Sequence, residues 1–253
     1  TDSAEAYDHL LKGRTEYYRY SPENLAKAIE HFTAAIELDP TFADAYGYLS
    51  YCYFMRFLSM WPGADPSLEP AVKLAEEAVY LDPGSAIAHT RLAWVQGFVR
   101  NYDDSLPNFE KAIALDPNNA ETYSAYGEIL NYWGDPERAL ELNARAVSID
   151  TIAPPSWEYQ FGHSFLLLRR YDEALAKLRL AVELAPSFLP AHFRLAFAYG
   201  EMDRLEEANQ EASTILELAP RYSVTFLDQN NPYRTDEQRD RFRTALRKAG
   251  LPE

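Results

Sequence analysis

Five stretches of the chain close on nearly the same phrase: Ile36-Glu37-Leu38-Asp39-Pro40, Val79-Tyr80-Leu81-Asp82-Pro83, Ile113-Ala114-Leu115-Asp116-Pro117, Val182-Glu183-Leu184-Ala185-Pro186 and Leu216-Glu217-Leu218-Ala219-Pro220. The separations between their prolines are 43, 34, 69 and 34. A sixth ending, Val147-Ser148-Ile149-Asp150-Thr151, splits the gap of 69 into 34 and 35, and the gap of 43 is 34 plus a nine-residue insertion. A fixed period in this range marks a repeat array, in which each unit buries its apolar face only against its neighbours.

Each unit reads as two helices. In the third, Ile87, Leu92, Val95 and Val99, then Leu106, Phe109 and Ile113, follow helical spacing. The break falls at Arg100-Asn101-Tyr102-Asp103-Asp104, with Asp103 or Asp104 as the expected cap. The closing proline stops the second helix. It disfavours helical geometry at the preceding residue and cannot donate to the hydrogen-bond ladder.

These units resemble tetratricopeptide (TPR) repeats, helix–turn–helix modules with the pattern W-x2-L-G-x2-Y … A-x3-F-x2-A … P. The matching residues are His89, Leu92, Ala93, Gln96, Ser105, Phe109, Ala112 and Pro117 in the third unit. They are Tyr123, Tyr126, Gly127, Leu130, Ala139, Asn143, Ala146 and Thr151 in the fourth, and Glu158, Phe161, Gly162, Phe165, Ala174, Leu178, Ala181 and Pro186 in the fifth. In the sixth they are His192, Leu195, Ala196, Tyr199, Ala208, Ala212, Ile215 and Pro220. Small residues at a helix crossing let two backbones approach, and the large residue opposite fills the gap. The resemblance implies an all-α, right-handed TPR α-solenoid. Its array occupies residues 1–220, with repeats at about 6–40, 41–83, 84–117, 118–151, 152–186 and 187–220. Gly13 and Ala28 of the first unit are 15 apart where the family has about 12. The second unit carries the insertion, around Met60 and Trp61, which is expected to fold back on the array, with exposure for a partner as the alternative.

The pattern stops after Pro220. Residues 221–234 read as irregular. Residues 235–249 read as a helix with a Thr235/Gln238 capping box, an apolar stripe of Phe242, Ala245 and Leu246, and an end at Gly250. Its default role is to cap the last repeat, and a site for an acidic partner is the alternative.

Several function classes are disfavoured. The formal charge of −15, with −17 carried by residues 1–220, repels phosphate backbones, so no nucleic-acid partner is expected. A single cysteine, Cys52, excludes an internal disulfide and a multi-thiolate metal site, and suits a reducing, cytoplasmic compartment. No apolar run long enough for a membrane span occurs, so no membrane insertion is expected. The polar start without Met reads as a processed chain or an excised fragment. No phosphate-binding glycine loop, nucleophile elbow or zinc-binding His pair on a helix is present, so no catalytic residue, metal or cofactor is assigned.

The TPR resemblance implies that the first helix of each repeat lines a concave surface. Carried over, that wall includes Tyr51, Phe54 and Met55 of the second repeat, Trp94 and Phe98 of the third, and Glu128 and Tyr132 of the fourth. It continues through Tyr159 and His163 of the fifth and Phe193 and Phe197 of the sixth. Two readings stand. The aromatics fill the inside of a tight superhelix, or they form an apolar trough for a protein or peptide. Chaperone-binding relatives use a Lys/Asn clamp at the fifth and ninth repeat positions. Here those positions hold Gly47, Thr90, Ser124, Tyr159 and Phe193, then Tyr51, Trp94, Glu128, His163 and Phe197, so that clamp is absent. Arg91 and Arg194, at position six, leave some basic character.

The two ends, Ala6-Tyr7-Asp8-His9-Leu10-Leu11-Lys12-Gly13-Arg14 and Leu246-Arg247-Lys248-Ala249-Gly250-Leu251-Pro252-Glu253, resemble the TPR regions that follow the catalytic domains of bacterial class III adenylate/guanylate cyclases. Related arrays follow winged-helix regulators. The expectation is a non-catalytic scaffold for a protein, a peptide or its own fused effector domain. The alternative is a structural module that self-associates as a homodimer.

Overall fold

The computed structural model describes residues 1–19, 21–59, 67–150 and 154–253. Met60, Trp61 and Thr151 lie outside these, and with them the fold-back expected of the insertion. The described residues form helices and no strands. The repeats supply α1 (Ala4–Tyr17), α2 (Pro22–Leu38), α3 (Ala43–Leu58), α4 (Glu69–Leu81), α5 (Ala86–Phe98), α6 (Tyr102–Leu115), α7 (Ala120–Trp133), α8 (Pro136–Ile149), α9 (Pro155–Leu167), α10 (Tyr171–Leu184), α11 (Leu189–Glu201) and α12 (Leu205–Leu218). The segment beyond them supplies α13 (Val224–Gln229) and α14 (Asp236–Lys248). Two compact units result: Thr1–Gly97 with Asn101–Thr122, and Phe98–Arg100 with Tyr123–Glu253. The division falls inside the array, and 221–253 belongs to the second unit.

The Leu-Asp-Pro endings act through the aspartate as well as the proline. Asp39, Asp82 and Asp116 each leave the helix in an extended conformation, at φ −143°, −140° and −139°. That is the geometry imposed on a residue before proline. Each carboxylate then accepts a backbone N–H two residues on, from Thr41 at 2.9 Å, Gly84 at 2.9 Å and Asn118 at 3.0 Å. These Asx turns aim the chain into the next helix. Between the two helices of a repeat, the turn places Arg100, Gly134, Arg169 and Asp203 at positive φ (62°, 106°, 58° and 54°) in the third to sixth repeats.

Small-against-large packing appears where the spacing places it. A Cβ on Gly13 would lie 2.5 Å from the Phe32 ring, and one on Gly162 would lie 2.6 Å from Leu178 Cγ. Phe32 and Leu178 are fully buried. Asn143 takes the large position of the fourth repeat against Gly127, and its amide has no hydrogen-bond partner.

Three local expectations change. The cap of α6 is at Asn101, and Asp103 and Asp104 lie in the first turn, where acidic side chains favour the helix dipole. Residues 221–234 contain a short helix, α13, capped by the Ser223 hydroxyl accepting from Phe226 N–H at 3.1 Å. At α14, Thr235 Oγ1 accepts from Gln238 N–H at 3.2 Å as the sequence predicts, but the Gln238 side chain accepts from that hydroxyl instead of reaching a backbone donor. Helix α14 lies on α11, with Phe242 against Phe197 at 5.3 Å between ring centroids. Its cations are paired within the second unit: Arg241 with Glu201, Arg243 with Asp228, Lys248 with Asp203 and Arg247 with Glu253. That pairing serves capping, and it neutralises the basic face that an acidic partner would need.

Candidate functional site

In the first unit, Tyr51, Phe54, Met55 and Trp94 are all buried, none more than 9% exposed. Trp94 meets Phe54 at 4.3 Å and Tyr51 at 4.5 Å between centroids, and Tyr17 of α1 stands edge-on to Tyr51 at 5.0 Å. Arg91 lies among these rings, 4.7 Å from the Tyr48 centroid and 4.9 Å from that of Tyr51. A guanidinium over aromatic faces is attracted by their quadrupoles. Its counter-charge is Glu121, with which it forms an ion pair. Tyr48 donates to the same carboxylate at 3.0 Å, and Tyr17 and Tyr18 donate at 3.4 Å each.

The charge states follow. Burial pushes the Glu121 carboxyl up, but Arg91, Arg14 and the donated hydrogen bonds outweigh it and hold the group below its usual range. Burial disfavours charge on Arg91, yet Glu121 and the neighbouring tyrosines hold it protonated. Burial, reinforced by Glu121, pushes the Tyr48 phenol up, so it stays a neutral donor.

In the second unit, Phe98, Tyr132, Tyr159, His163, Phe193 and Phe197 are buried, and Glu128 is half-buried. Tyr132 is central: Phe98 and His163 each stand 5.1 Å from it and Tyr233 5.2 Å. Phe193 packs on Tyr222 at 4.8 Å. His163 Nε2 shares a 2.6 Å hydrogen bond with the Tyr233 hydroxyl. Burial, helped by Arg194, pushes the imidazole well below its ordinary value, so it is neutral.

Arg194 is the second buried arginine, at 6% exposure. It donates to the Tyr132 hydroxyl at 2.9 Å. Phe242, Tyr233, Tyr132 and Tyr159 surround it at 4.9, 5.6, 5.7 and 6.0 Å. Among the described residues it has no ion pair, and its Nε has no hydrogen-bond partner. Burial opposes its charge, but the three tyrosines outweigh that and hold it protonated. Asn131, fully buried one residue before Tyr132, also has both amide atoms without partners.

The wall residues named from the repeat register are thus brought together within each unit, but as a buried layer. The register noted Arg91 and Arg194 only as basic character. Their partners Tyr17, Tyr48, Glu121 and Tyr233 come from other repeats or from beyond the array, and only burial reveals their roles. Among the described residues no three His, Cys, Asp or Glu side chains form a metal-binding group, and no helix is long and apolar enough to cross a membrane.

Helix pairs closed by extended aspartates and locked by small-against-large crossings define an all-α helical-repeat protein. Residues 108–141 match the tetratricopeptide-repeat family model. Solved structures share the fold. The human IFIT1 dimer with m7Gppp-AAAA aligns over 96% of this chain and 58% of that one, with a TM-score of 0.68 at 16% identity. A thermophilic TPR protein of Thermus thermophilus aligns over 76% of this chain and 98% of that one, with a TM-score of 0.56 at 20% identity. In sequence, the chain is 30% identical to Hsp70-Hsp90 organizing protein 2 of Arabidopsis thaliana over 102 residues, 40% of this chain and 16% of that protein. The chain therefore spans only a small part of that relative.

Proposed function

We propose that the protein is a non-catalytic TPR scaffold that holds a protein or peptide partner through a carboxylate, at Arg194 in the second unit. The observation that carries this reading is the unequal provision for two buried arginines at the same repeat position. Arg91 has Glu121 as its carboxylate, and Arg194 has the Tyr132 hydroxyl and aromatic rings but, among the described residues, no ion pair. A buried cation is costly unless paired, so a carboxylate from a partner is favoured there. Tyr132, Tyr159 and Tyr233, kept neutral by burial, supply hydroxyls around it. The Lys/Asn pair of the clamp is absent from the fifth and ninth repeat positions, so an Hsp70 or Hsp90 tail is not the expected ligand, although the Arabidopsis relative is named an organizer of those chaperones. The resemblance of the two chain ends to cyclase-linked arrays supports an attached effector domain as the partner.

A peptide array of acidic, amide-capped and neutral sequences, probed with the wild-type chain and with Arg194→Met, tests the reading. Retention of carboxylate-bearing peptides by the wild type, lost in a variant that melts normally, is expected. Equal retention by both chains refutes it. The burial of the whole aromatic layer favours a second reading, a structural module whose wall is filled by its own side chains. Light scattering over a range of concentrations tests its self-association form: a monomer at every concentration excludes the homodimer.

A further inference from the structure

The histidines divide sharply by what their ring nitrogens do. His89 and His192 have both nitrogens engaged, with Asn108 and the Pro83 carbonyl, and with Glu211 and the Pro186 carbonyl. His163 is fully buried. His9 on α1 and His31 on α2 are half-buried, and they face each other with Nδ1 atoms 3.1 Å apart. The rings are 5.3 Å apart and tilted by 54°.

A hydrogen bond between two Nδ1 atoms needs one protonated nitrogen and one bare one. One ring therefore already turns a free lone pair toward its neighbour. Two imidazole nitrogens on a single tetrahedral zinc ion lie about 3.3 Å apart, given zinc–nitrogen bonds of about 2.0–2.1 Å. The observed spacing is close to that bite. The two helices that carry the pair cannot slide freely, because Gly13 of α1 is pressed against the Phe32 ring, next in sequence to His31. Asp8, itself paired with Lys12, interacts with both imidazoles, and the surrounding chain is strongly acidic, which draws cations. Imidazole selects zinc-class ions over magnesium.

We propose that His9 and His31 form a two-histidine site for one zinc-class ion, which clips α1 to α2 with water completing the coordination. Binding at both Nδ1 atoms requires the ring that donates the shared hydrogen bond to carry its single proton on Nε2 instead, a tautomer change with no net proton loss.

The test is calorimetric titration of the tag-free, chelator-stripped full chain with zinc chloride, paired with melting curves. One ion per chain and a zinc-induced rise in Tm are expected, with no response to magnesium chloride. His9→Gln and His31→Gln should each weaken zinc binding by about tenfold or more and abolish the rise in Tm. Should either variant lower the zinc-free Tm, the size of the zinc-induced rise remains the readout. Absence of zinc binding by the wild type overturns the proposal. So does unchanged binding by both variants.

Discussion

Arg91 and Glu121 form an ion pair in which the guanidinium side chain is 3% exposed and the carboxylate 19%. The pair joins α5 to the start of α7. Through the Tyr17, Tyr18 and Tyr48 hydroxyls it also gathers α1 and α3 around one carboxylate.

Glu121→Ala leaves a buried cation and orphans those hydroxyls. It is expected to lower the stability of the first unit by about 3 kcal/mol, the lower end for a broken buried pair because the carboxylate keeps some exposure. Urea denaturation followed by tyrosine and tryptophan fluorescence reads it. Arg91→Met in the same chain should restore part of the loss, since an apolar side chain of similar length needs no counter-charge. A loss under about 1 kcal/mol would mean that the pair is merely tolerated.

At Gly200 the terminal helix approaches the array closely: a Cβ there would lie 2.5 Å from the Ala245 carbonyl oxygen. Gly200→Ala should push α14 away at a cost of about 1–3 kcal/mol, typical of overpacking. Amide exchange should quicken across Asp236–Lys248, while α9 and α10 keep their protection.

His192 links pH to stability. Burial works to lower its pKa, but the hydrogen bond to Glu211 at 2.7 Å, the Pro186 carbonyl and the Glu211 charge outweigh it, and the net shift is upward. A group whose pKa is raised by folding stabilises the fold below its unfolded pKa, and that contribution is lost as pH rises through the folded value. Relative to His192→Gln, the wild-type chain should therefore lose stability between about pH 5 and about pH 8. The imidazole should titrate above the ordinary histidine value by NMR. An ordinary or depressed value would refute the assignment.

Cys52 is fully buried, and burial pushes its thiol up to about 12. A thiol-reactive dye should ignore the native chain at neutral pH and label it at once in denaturant. Rapid native labelling would show that α3 opens locally.

The array is legible in the sequence because its determinants are local. An aspartate before a proline and a glycine facing a bulky residue of the next helix state their geometry within a single period, as Asp82 and Gly162 do. The buried arginines are not legible. Arg91 on α5 meets a carboxylate of α7 and the Tyr17 ring of α1, and Arg194 meets Tyr233 from beyond the last repeat. No periodicity encodes those pairings. Aromatic composition could not show whether these side chains are covered, since Trp94 and Phe197 serve a filled wall or an open one; their burial is visible only in the structure. Helix α13 escaped because so short a segment carries too little periodicity, though Ser223 marks its start.

The positive-φ turns have an evolutionary consequence. Arg100, Arg169 and Asp203 keep a side chain where L-residues are disfavoured by about 1–2 kcal/mol each, offset in part by what glycine loses in chain entropy. Gly134 shows that the same bend accepts the relaxed choice. The scaffold thus carries unused thermostability at several separate joints, each adjustable by a single codon without touching the arginine clusters.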